Sequence, residues 1–294
     1  MKVGVFGSQH QIEKQSLIKR LFEKLYALDS EIYIDVDFYT FLTETLHYDA
    51  PKAGLLYECD AFNLDVALSV GGDGTFLRTA ARIHRQDIPI VGINTGRLGF
   101  LADIGGNDIE DTLDEIFKNY YKVEERTLLQ LHTVEPLYGC YNYALNEIAI
   151  LKRDTSSMIT IHTSLNDAFL SSYQADGLVI ATPTGSTAYS MSVNGPILVP
   201  QSNSIVLSPV APHSLNVRPL VIPDSTVITL SVDSRSDTFL VSLDGRSEVF
   251  PAGAELKISK ADYTTKVIKR HNHTFYQTLR DKLMWGADAR QGNR

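Results

Sequence analysis

Apolar positions follow two different patterns along this chain of 294 residues. Up to about residue 123, short continuous apolar runs alternate with segments whose apolar residues recur every three or four positions. Such runs are typical of buried strands, and the three-to-four spacing is typical of amphipathic helices. The predicted strands are 2–6, 31–38, 65–70 and 88–93, and the predicted helices are 12–28, 76–83 and 108–120. Strand and helix in alternation predict an α/β domain with a mostly parallel sheet.

After about residue 123, short segments rich in Val, Ile, Thr and Tyr follow one another between turn signals. The predicted strands are 128–134, 141–151, 158–165, 178–182, 204–208, 226–232, 238–243 and 255–259. This spacing predicts an all-β sandwich or a similar double-layered sheet. The last periodic stretch, 275–285, predicts a helix again. We therefore predict an α/β domain over 1–124, a β-sandwich over 125–272, and a C-terminal helix and tail over 273–294, with that helix packed back on the first domain.

Composition excludes several classes of protein. The net charge of −8 argues against a general nucleic-acid binder or an anionic-membrane binder, because no large basic field is expected. No secretory segment opens the chain and no apolar run approaches a membrane span, so we expect a cytoplasmic protein. Neither the two cysteines nor the eight histidines have the spacing of metal ligands, and His271 and His273 are expected at the surface.

The first candidate for chemistry is the run Gly71-Gly72-Asp73-Gly74, which lies between a predicted strand and a predicted helix. Glycines there let the backbone approach a ligand, and the unpaired N–H groups of a helix N-terminus favour phosphate. The aspartate is unexpected because an anion repels phosphate. Either Asp73 has a chemical role, or it is only the N-cap of the helix, a position that Asp fills well.

Two further segments concentrate polar groups. Asn146 and Glu147 interrupt an apolar run, and burying them without partners would cost roughly 2 kcal/mol or more. They are therefore either a binding pair or residues at a solvent-facing edge. The segment 176–192 offers hydroxyls and glycine N–H groups that suit sugar hydroxyls and an adenine better than a metal, although Ser, Thr and Gly are also common in ordinary loops.

In this order, these segments resemble the ATP-NAD kinase family, whose bacterial members are NAD kinases. The matching pieces are 71–75, 94–100, 146–147, 176–178, 182–189, 208–213 and the turn 244–245. The glycine–aspartate run alone is shared with phosphofructokinases, diacylglycerol kinases and sphingosine kinases, so the ordered set carries the resemblance. It implies a Rossmann-like, phosphofructokinase-like N-terminal domain joined to a β-sandwich. It also implies ATP as phosphate donor, NAD as substrate, Mg²⁺ held mainly by the nucleotide, and a homodimer or homotetramer.

The resemblance also implies roles for particular residues. Asp73 would be the general base that accepts the proton of the 2′-hydroxyl on the adenosine ribose of NAD. Gly74 and Arg78 would contact phosphate, and Asn146 and Glu147 would hold hydroxyls of the substrate. The remaining implied dinucleotide contacts are Asp176, Thr187, Ala188, Tyr189, Ser190, Met191, Ser192 and Ala211.

Three implied binding positions depart from the family pattern or vary within it. Gln174 stands where many bacterial relatives have arginine, which leaves the choice between NAD and NADH open. Arg246 stands where glutamine or a similar polar residue is frequent, and Ser157 falls at a position that varies in residue type. Two alternatives to an NAD kinase remain: a lipid or sugar kinase with the same glycine–aspartate loop, and a non-catalytic NAD-binding regulator.

Overall fold

The computed structural model describes residues 1–8, 15–49, 53–57, 61–96, 99–133, 141–154 and 157–286. Its contacts divide the chain into two compact units, Met1–Glu125 with Thr265–Arg294 and Arg126–Thr264. The helices are α1 (Gln15–Ala27), α2 (Val36–Thr40), α3 (Asp73–Ile83), α4 (Ile109–Phe117), α5 (Tyr189–Ser192) and α6 (Phe275–Leu283). The strands are β1 (Lys2–Gly7), β2 (Glu31–Asp35), β3 (Gly54–Leu56), β4 (Val66–Gly71), β5 (Ile90–Asn94), β6 (Lys122–His132), β7 (Tyr143–Ala144), β8 (Glu147–Lys152), β9 (Ile159–Leu165), β10 (Ala168–Ala175), β11 (Gly177–Ala181), β12 (Ser204–Val210), β13 (Leu220–Pro223), β14 (Ile228–Asp233), β15 (Thr238–Leu243), β16 (Arg246–Pro251) and β17 (Glu255–Lys269).

The first unit is built on a parallel sheet with the strand order β5-β4-β1-β2-β3. Strand β4, which lies between β5 and β1, is buried along its whole length, as expected for a strand covered on both faces. Helix α1 buries Ile18, Leu21, Phe22 and Leu25 in the core of this unit. The predicted α/β domain with a parallel sheet is confirmed.

The predicted strand 31–38 is wrong beyond Asp35, because helix α2 begins at Val36. The reason is visible in the spacing of the next apolar residues. Phe38, Phe41 and Leu42 recur at intervals of three and one, which places them on one helical face, and all three are buried. A π-helical turn over Phe41–Thr45 continues the helix.

Helix α6 belongs to the first unit and packs there as predicted. The ring of Phe275 lies 6.2 Å from the ring of Phe100, and Thr278 and Leu279 are buried. No helix in the described part of the chain is long and apolar enough to span a membrane.

The second unit contains two layers of strands around one apolar core. One layer is an antiparallel sheet in the order β13-β12-β11-β8-β15-β16, and the other contains β10-β9-β14-β17 with β6 and β7. Side chains from both layers form a single cluster, for example Ile148 and Ile180 from the first and Ile161 and Leu230 from the second. The predicted β-sandwich is confirmed.

The predicted strand 141–151 is wrong, because the chain changes layers in its middle. Strand β7 pairs with β6, whereas β8 pairs with β11 and β15 in the other sheet. The crossing falls at Leu145 and Asn146, between the two strands. The polar pair Asn146 and Glu147 therefore marks the crossing point and the start of β8, a position that a smooth strand would not provide.

Candidate functional site

Asp73 is the first residue of helix α3, and its carboxylate is held by another loop. Oδ2 accepts a hydrogen bond from the backbone N–H of Phe100 at 2.9 Å. Oδ1 accepts from the backbone N–H groups of Leu101 at 3.0 Å and Ala102 at 2.9 Å. The helix N-cap is Gly72, so the alternative that Asp73 is only an N-cap is wrong.

This arrangement fixes the carboxylate and leaves one of its lone-pair positions without a hydrogen bond from any described residue. A carboxylate has about four lone-pair positions, and three of them are taken by main-chain donors. The remaining position is on Oδ2, which lies 3.5 Å from Nζ of Lys282, and 30% of the side chain is exposed. Asp73 is therefore a rigid acceptor with access to a ligand.

The glycines around Asp73 differ in purpose. A Cβ on Gly99 would lie 1.9 Å from Oδ1 of Asp73, and a Cβ on Gly71 would lie 2.3 Å from Oγ1 of Thr75, so neither position accepts a larger residue without rearrangement. Gly72 and Gly74 instead border open space, because a Cβ on either would meet nothing within 4 Å. That space lies at the N-terminus of α3, where an anion is favoured.

Arg78 lies on the exposed side of α3, where its guanidinium is 3.3 Å from Oγ1 of Thr75. In the neighbouring segment, Oδ1 of Asn94 accepts from the backbone N–H of Gly96 at 2.6 Å. Arg97 and Leu98, two residues of the 94–100 motif, lie outside the described residues.

The second unit contains a second aspartate held in the same way. Oδ2 of Asp244 accepts from the backbone N–H of Leu145 at 2.7 Å. Its Oδ1 accepts from Asn146 at 2.8 Å and Glu147 at 3.1 Å. Both aspartates precede a glycine and each gathers three consecutive main-chain N–H groups. Asp244 thereby fixes the crossing point that carries the predicted binding pair.

Glu147 is an unusual carboxyl group. Burial, reinforced by the negative charge of Asp244, raises its pKa to about 8, while a hydrogen bond from the backbone N–H of Tyr189 partly opposes the shift. Its Oε2 is buried and makes no hydrogen bond to any described residue. At neutral pH the group is therefore mainly protonated, and it presents a polar atom with no partner in the described part of the chain, which suits a ligand hydroxyl.

The segment after β11 is built against Asn146. The hydroxyl of Thr182 donates to the carbonyl of Leu145 at 2.6 Å and accepts from the backbone N–H of Gly185 at 3.1 Å. A Cβ on Gly185 would lie 2.0 Å from the carbonyl oxygen of Asn146, so only glycine fits there. A 3₁₀ turn (Gly185–Thr187) then leads into α5.

The six predicted binding residues of this segment differ in exposure. Thr187, Ala188, Tyr189 and Met191 are half-buried and Ser192 is exposed. Ser190 is buried, and its hydroxyl is 3.0 Å from the hydroxyl of Ser208. That contact ties the hydroxyl of Ser190 to β12.

Four predicted residues lie elsewhere in the second unit. Ser157 and Gln174 line one groove of about 550 Å³, together with Asp233 and Arg235. Asp176 forms an ion pair of 2.7 Å with Lys152. Ala211 has φ of 44°, a backbone conformation that is uncommon for alanine.

Arg246 already has intramolecular partners. Its guanidinium donates to the carbonyls of Tyr141 at 2.8 Å and Tyr143 at 2.6 Å, and it lies 4.8 Å from the centre of the Tyr141 ring. These contacts give Arg246 a structural function whether or not it also meets a ligand.

Sequence reasoning missed two residues at these sites. Asp244 was noted only as part of a turn, although the Asp-Gly pair after an apolar strand repeats the pattern of Asp73 and Gly74 and could have indicated its function. Lys282 gave no local signal, because its position beside Asp73 depends on the packing of α6. Among the described residues, no three His, Cys, Asp or Glu side chains come together as a metal site.

Comparison with known protein families covers both units. A family model described as the ATP-NAD kinase N-terminal domain matches residues 7–121. A second, described as the ATP-NAD kinase C-terminal domain, matches residues 145–270.

The chain is also similar to individual proteins over nearly its whole length. An NAD kinase of Bacteroides fragilis is 53% identical over 290 residues, which cover 99% of this chain and 100% of that protein. An NAD kinase of Porphyromonas gingivalis is 45% identical over 289 residues, 98% of this chain and 99% of the relative.

Two crystal structures have similar folds. Yeast NADH kinase complexed with NADH superposes with a TM-score of 0.87 at 20% identity, covering 100% of this chain and 90% of that one. An NAD kinase from Archaeoglobus fulgidus in complex with ATP gives a TM-score of 0.76 at 26% identity, with 97% and 99% of the two chains covered.

Proposed function

This chain belongs to the ATP-NAD kinase family and phosphorylates NAD with ATP, and we propose that Asp73 is the general base of that reaction. The observation that carries the proposal is the three-amide cradle of the Asp73 carboxylate, in which one lone-pair position on Oδ2 accepts no hydrogen bond from the described part of the chain. A positioned carboxylate can accept the proton of a weakly acidic hydroxyl as the new bond forms.

The proposed step is a direct phosphoryl transfer. The 2′-oxygen of the adenosine ribose of NAD forms a bond to the γ-phosphorus of ATP, and its proton passes to Oδ2 of Asp73. The bond from that phosphorus to the bridging oxygen breaks, and ADP leaves with the electron pair. Asp73 then loses the proton to solvent. Such a reaction depends mainly on position and on neutralisation of charge.

On the donor side, we assign the phosphates of ATP to the open backbone at Gly72 and Gly74 and to the guanidinium of Arg78. A divalent cation, Mg²⁺ by its preference for phosphate oxygens, would be held mainly by the triphosphate and would reduce its negative charge.

On the acceptor side, Asn146 and Glu147 would bind substrate hydroxyls, the latter as a neutral acid that can both donate and accept. The half-buried residues around the 3₁₀ turn and α5 would hold the adenosine and nicotinamide ends, with Gln174, Asp176, Ser157, Ala211 and Arg246 as further contacts.

One assay tests the reaction: the protein, ATP, Mg²⁺ and NAD are incubated, and NADP is detected with an NADP-specific dehydrogenase. Absence of NADP would refute the activity.

Glu147→Gln is expected to change how stability depends on pH. The folded-state pKa of Glu147 is about 8 against an ordinary 4.5, so the folded state binds the extra proton between these values. The stability that this proton contributes is full below pH 4.5 and is lost as pH rises to about 8, by at most about 1.4 kcal/mol per pH unit. The glutamine variant has no such proton to lose. The difference between its free energy of unfolding and that of the unmodified protein should therefore grow as pH rises to about 8 and then level off. Urea unfolding from pH 5 to pH 9 measures it.

The matched control for this prediction is Glu248→Gln, because Glu248 is exposed on β16. Its unfolding free energy should follow that of the unmodified protein at every pH. A constant difference between the Glu147→Gln variant and the unmodified protein across the range would contradict the assigned protonation.

Gln174→Arg is expected to shift the preference between NAD and NADH. The side chain lines the groove with Ser157 and Asp233. Arginine is the family residue from which this chain departs here, so we expect the substitution to move the preference towards NAD. We expect a change of a few-fold in the ratio of kcat/KM for the two substrates, about 1 kcal/mol in differential transition-state stabilisation. Steady-state kinetics with both substrates measures it, and an unchanged ratio removes Gln174 from substrate selection.

We further propose a homodimer or homotetramer, a cytoplasmic location, and the domain limits 1–124, 125–272 and 273–294. Family membership supports the first two. The lipid or sugar kinase and the non-catalytic NAD-binding regulator are not supported, because both halves of the chain match the ATP-NAD kinase family.

A further inference from the structure

Lys282, in the last turn of α6, brings an ammonium group to the carboxylate of Asp73. Its Nζ lies 3.5 Å from Oδ2, and about a third of the side chain is exposed. The same Nζ lies 4.5 Å from the centre of the Phe100 ring, within the range of a cation–π contact. Of the described residues, Lys282 alone places a cation within 4.0 Å of Asp73.

Packing at the start of α6 determines where this lysine lies. Asp103 follows directly after the three residues whose N–H groups hold Asp73, and its carboxylate is 2.5 Å from Nζ of Lys269 and 3.3 Å from Nδ1 of His273. The Asp103 and Lys269 side chains are almost fully buried. The chain leading into α6 is therefore anchored to the loop that holds Asp73.

Two more contacts fix the helix itself. The side chain of Thr274 caps α6 by accepting from the backbone N–H of Gln277 at 3.3 Å. Phe275 packs against Phe100, the residue whose N–H meets Oδ2 of Asp73. Lys282 is thus held near Asp73 by the body of the first unit, and its ammonium keeps enough exposure to contact a ligand.

The charge balance of the reaction gives this lysine a purpose. A carboxylate beside a triphosphate raises the electrostatic energy of the complex, and a phosphoryl group in transfer spreads negative charge over its outer oxygens. An ammonium group is a compact charge with three donors on a flexible stem, so it can exchange one oxygen partner for another nearby.

We propose that Lys282 is a phosphate-binding residue of the transfer reaction. It pairs with Asp73 in the free enzyme, and in the reacting complex it donates to an outer oxygen of the transferred phosphoryl group. This inference rests on the proposed role of Asp73. Lys282 exchanges no proton in the step; it reduces the repulsion between Asp73 and the phosphates and stabilises the charge of the transition state.

The test compares Lys282→Met with Arg280→Met, which removes the same charge from an exposed position on the same helix. We expect Lys282→Met to lower kcat/KM for ATP by about tenfold or more. This loss is smaller than the loss typical of one charge-stabilising donor in a water-excluded site, because this site is partly solvated. The KM for NAD and the thermal midpoint should stay near those of the unmodified protein, and Arg280→Met should leave all of these values unchanged. Equal effects of the two variants would overturn the proposal.

Lys282→Arg supplies a second measurement, because it keeps the charge and changes the shape. Recovery of most of the loss in kcat/KM for ATP supports phosphate binding, whereas an arginine variant as slow as the methionine variant overturns it.

The two proposals, Asp73 as general base and Lys282 as phosphate-binding residue, can be refuted separately. Full activity of Asp73→Asn would remove the general base and leave the ATP effect of Lys282→Met in place. A normal Lys282→Met beside an inactive Asp73→Asn removes only the phosphate-binding role.

Discussion

Asp73→Asn is expected to lower kcat by two or more orders of magnitude while NAD remains bound. Asparagine has nearly the same shape but cannot accept the proton of the ribose hydroxyl, and loss of a general base typically costs 10²- to 10⁴-fold. The measurement pairs steady-state kinetics with calorimetric titration of NAD. Activity equal to that of the unmodified enzyme would refute the role assigned to Asp73.

The cradle adds a structural effect that the experiment must separate from the chemical one. If the amide oxygen keeps the hydrogen bonds from Leu101 and Ala102, the amide nitrogen faces the N–H of Phe100, so one buried donor loses its acceptor. That loss costs about 1–3 kcal/mol of stability. Denaturant unfolding of the variant measures this part, and NAD affinity shows whether the site is intact. Asp111→Asn, an exposed aspartate on α4, is the control for loss of one negative charge in the same unit.

Asp244→Ala is expected to produce the largest loss of stability. Three consecutive N–H groups, those of Leu145, Asn146 and Glu147, lose a charged acceptor at the point where the chain crosses between the sheets. At about 1–3 kcal/mol for each unsatisfied buried donor, the free energy of unfolding should fall by about 3 kcal/mol or more. Activity should fall as well, because the crossing point carries Asn146 and Glu147. Urea unfolding and the coupled kinase assay measure the two effects.

The chain offers a matched control for this change. Asp244 has φ of 48°, which alanine tolerates poorly, so part of the loss could come from the backbone alone. Asp237 is also an aspartate at positive φ, 55°, and it is exposed. Asp237→Ala therefore measures the backbone contribution. A stability loss for Asp244→Ala no larger than that of Asp237→Ala would show that the carboxylate contributes little.

The sequence predicted the two architectures because each has a strong pattern. A strand such as β4, buried on both faces, is a continuous apolar run. The strands of the sandwich appear as short segments rich in Val, Ile, Thr and Tyr that recur between turn signals. Strands β3, β10, β13 and β16 were missed. Strand β10 contains Phe169, Ser171, Ser172 and Gln174, which are half-buried or exposed, so no clear apolar period marks it.

The errors at 31–38 and 141–151 have one physical origin. In both, one strand was predicted across a point where the backbone changes direction, into α2 or into the opposite sheet. The signals of that change, the helical spacing after Asp35 and the polar pair Asn146 and Glu147, are weaker than the apolar residues around them. The glycine loop could be predicted because three glycines around one aspartate follow directly after an apolar run. The partners of Asp73 could not be predicted, because they are main-chain N–H groups, which every residue except proline carries. His273 was expected at the surface but lies half-buried against Asp103, and its position depends on tertiary packing.

The cradles of Asp73 and Asp244 also bear on how this chain can diverge. Every residue except proline supplies a main-chain N–H, so positions 100–102 and 145–147 can change side chain during evolution without losing either anchor. Each aspartate alone must stay, because only its carboxylate serves three donors at once. Two aspartates thus hold six backbone positions in place, and side chains at those six positions, such as Asn146 and Glu147, can change without loss of the anchor.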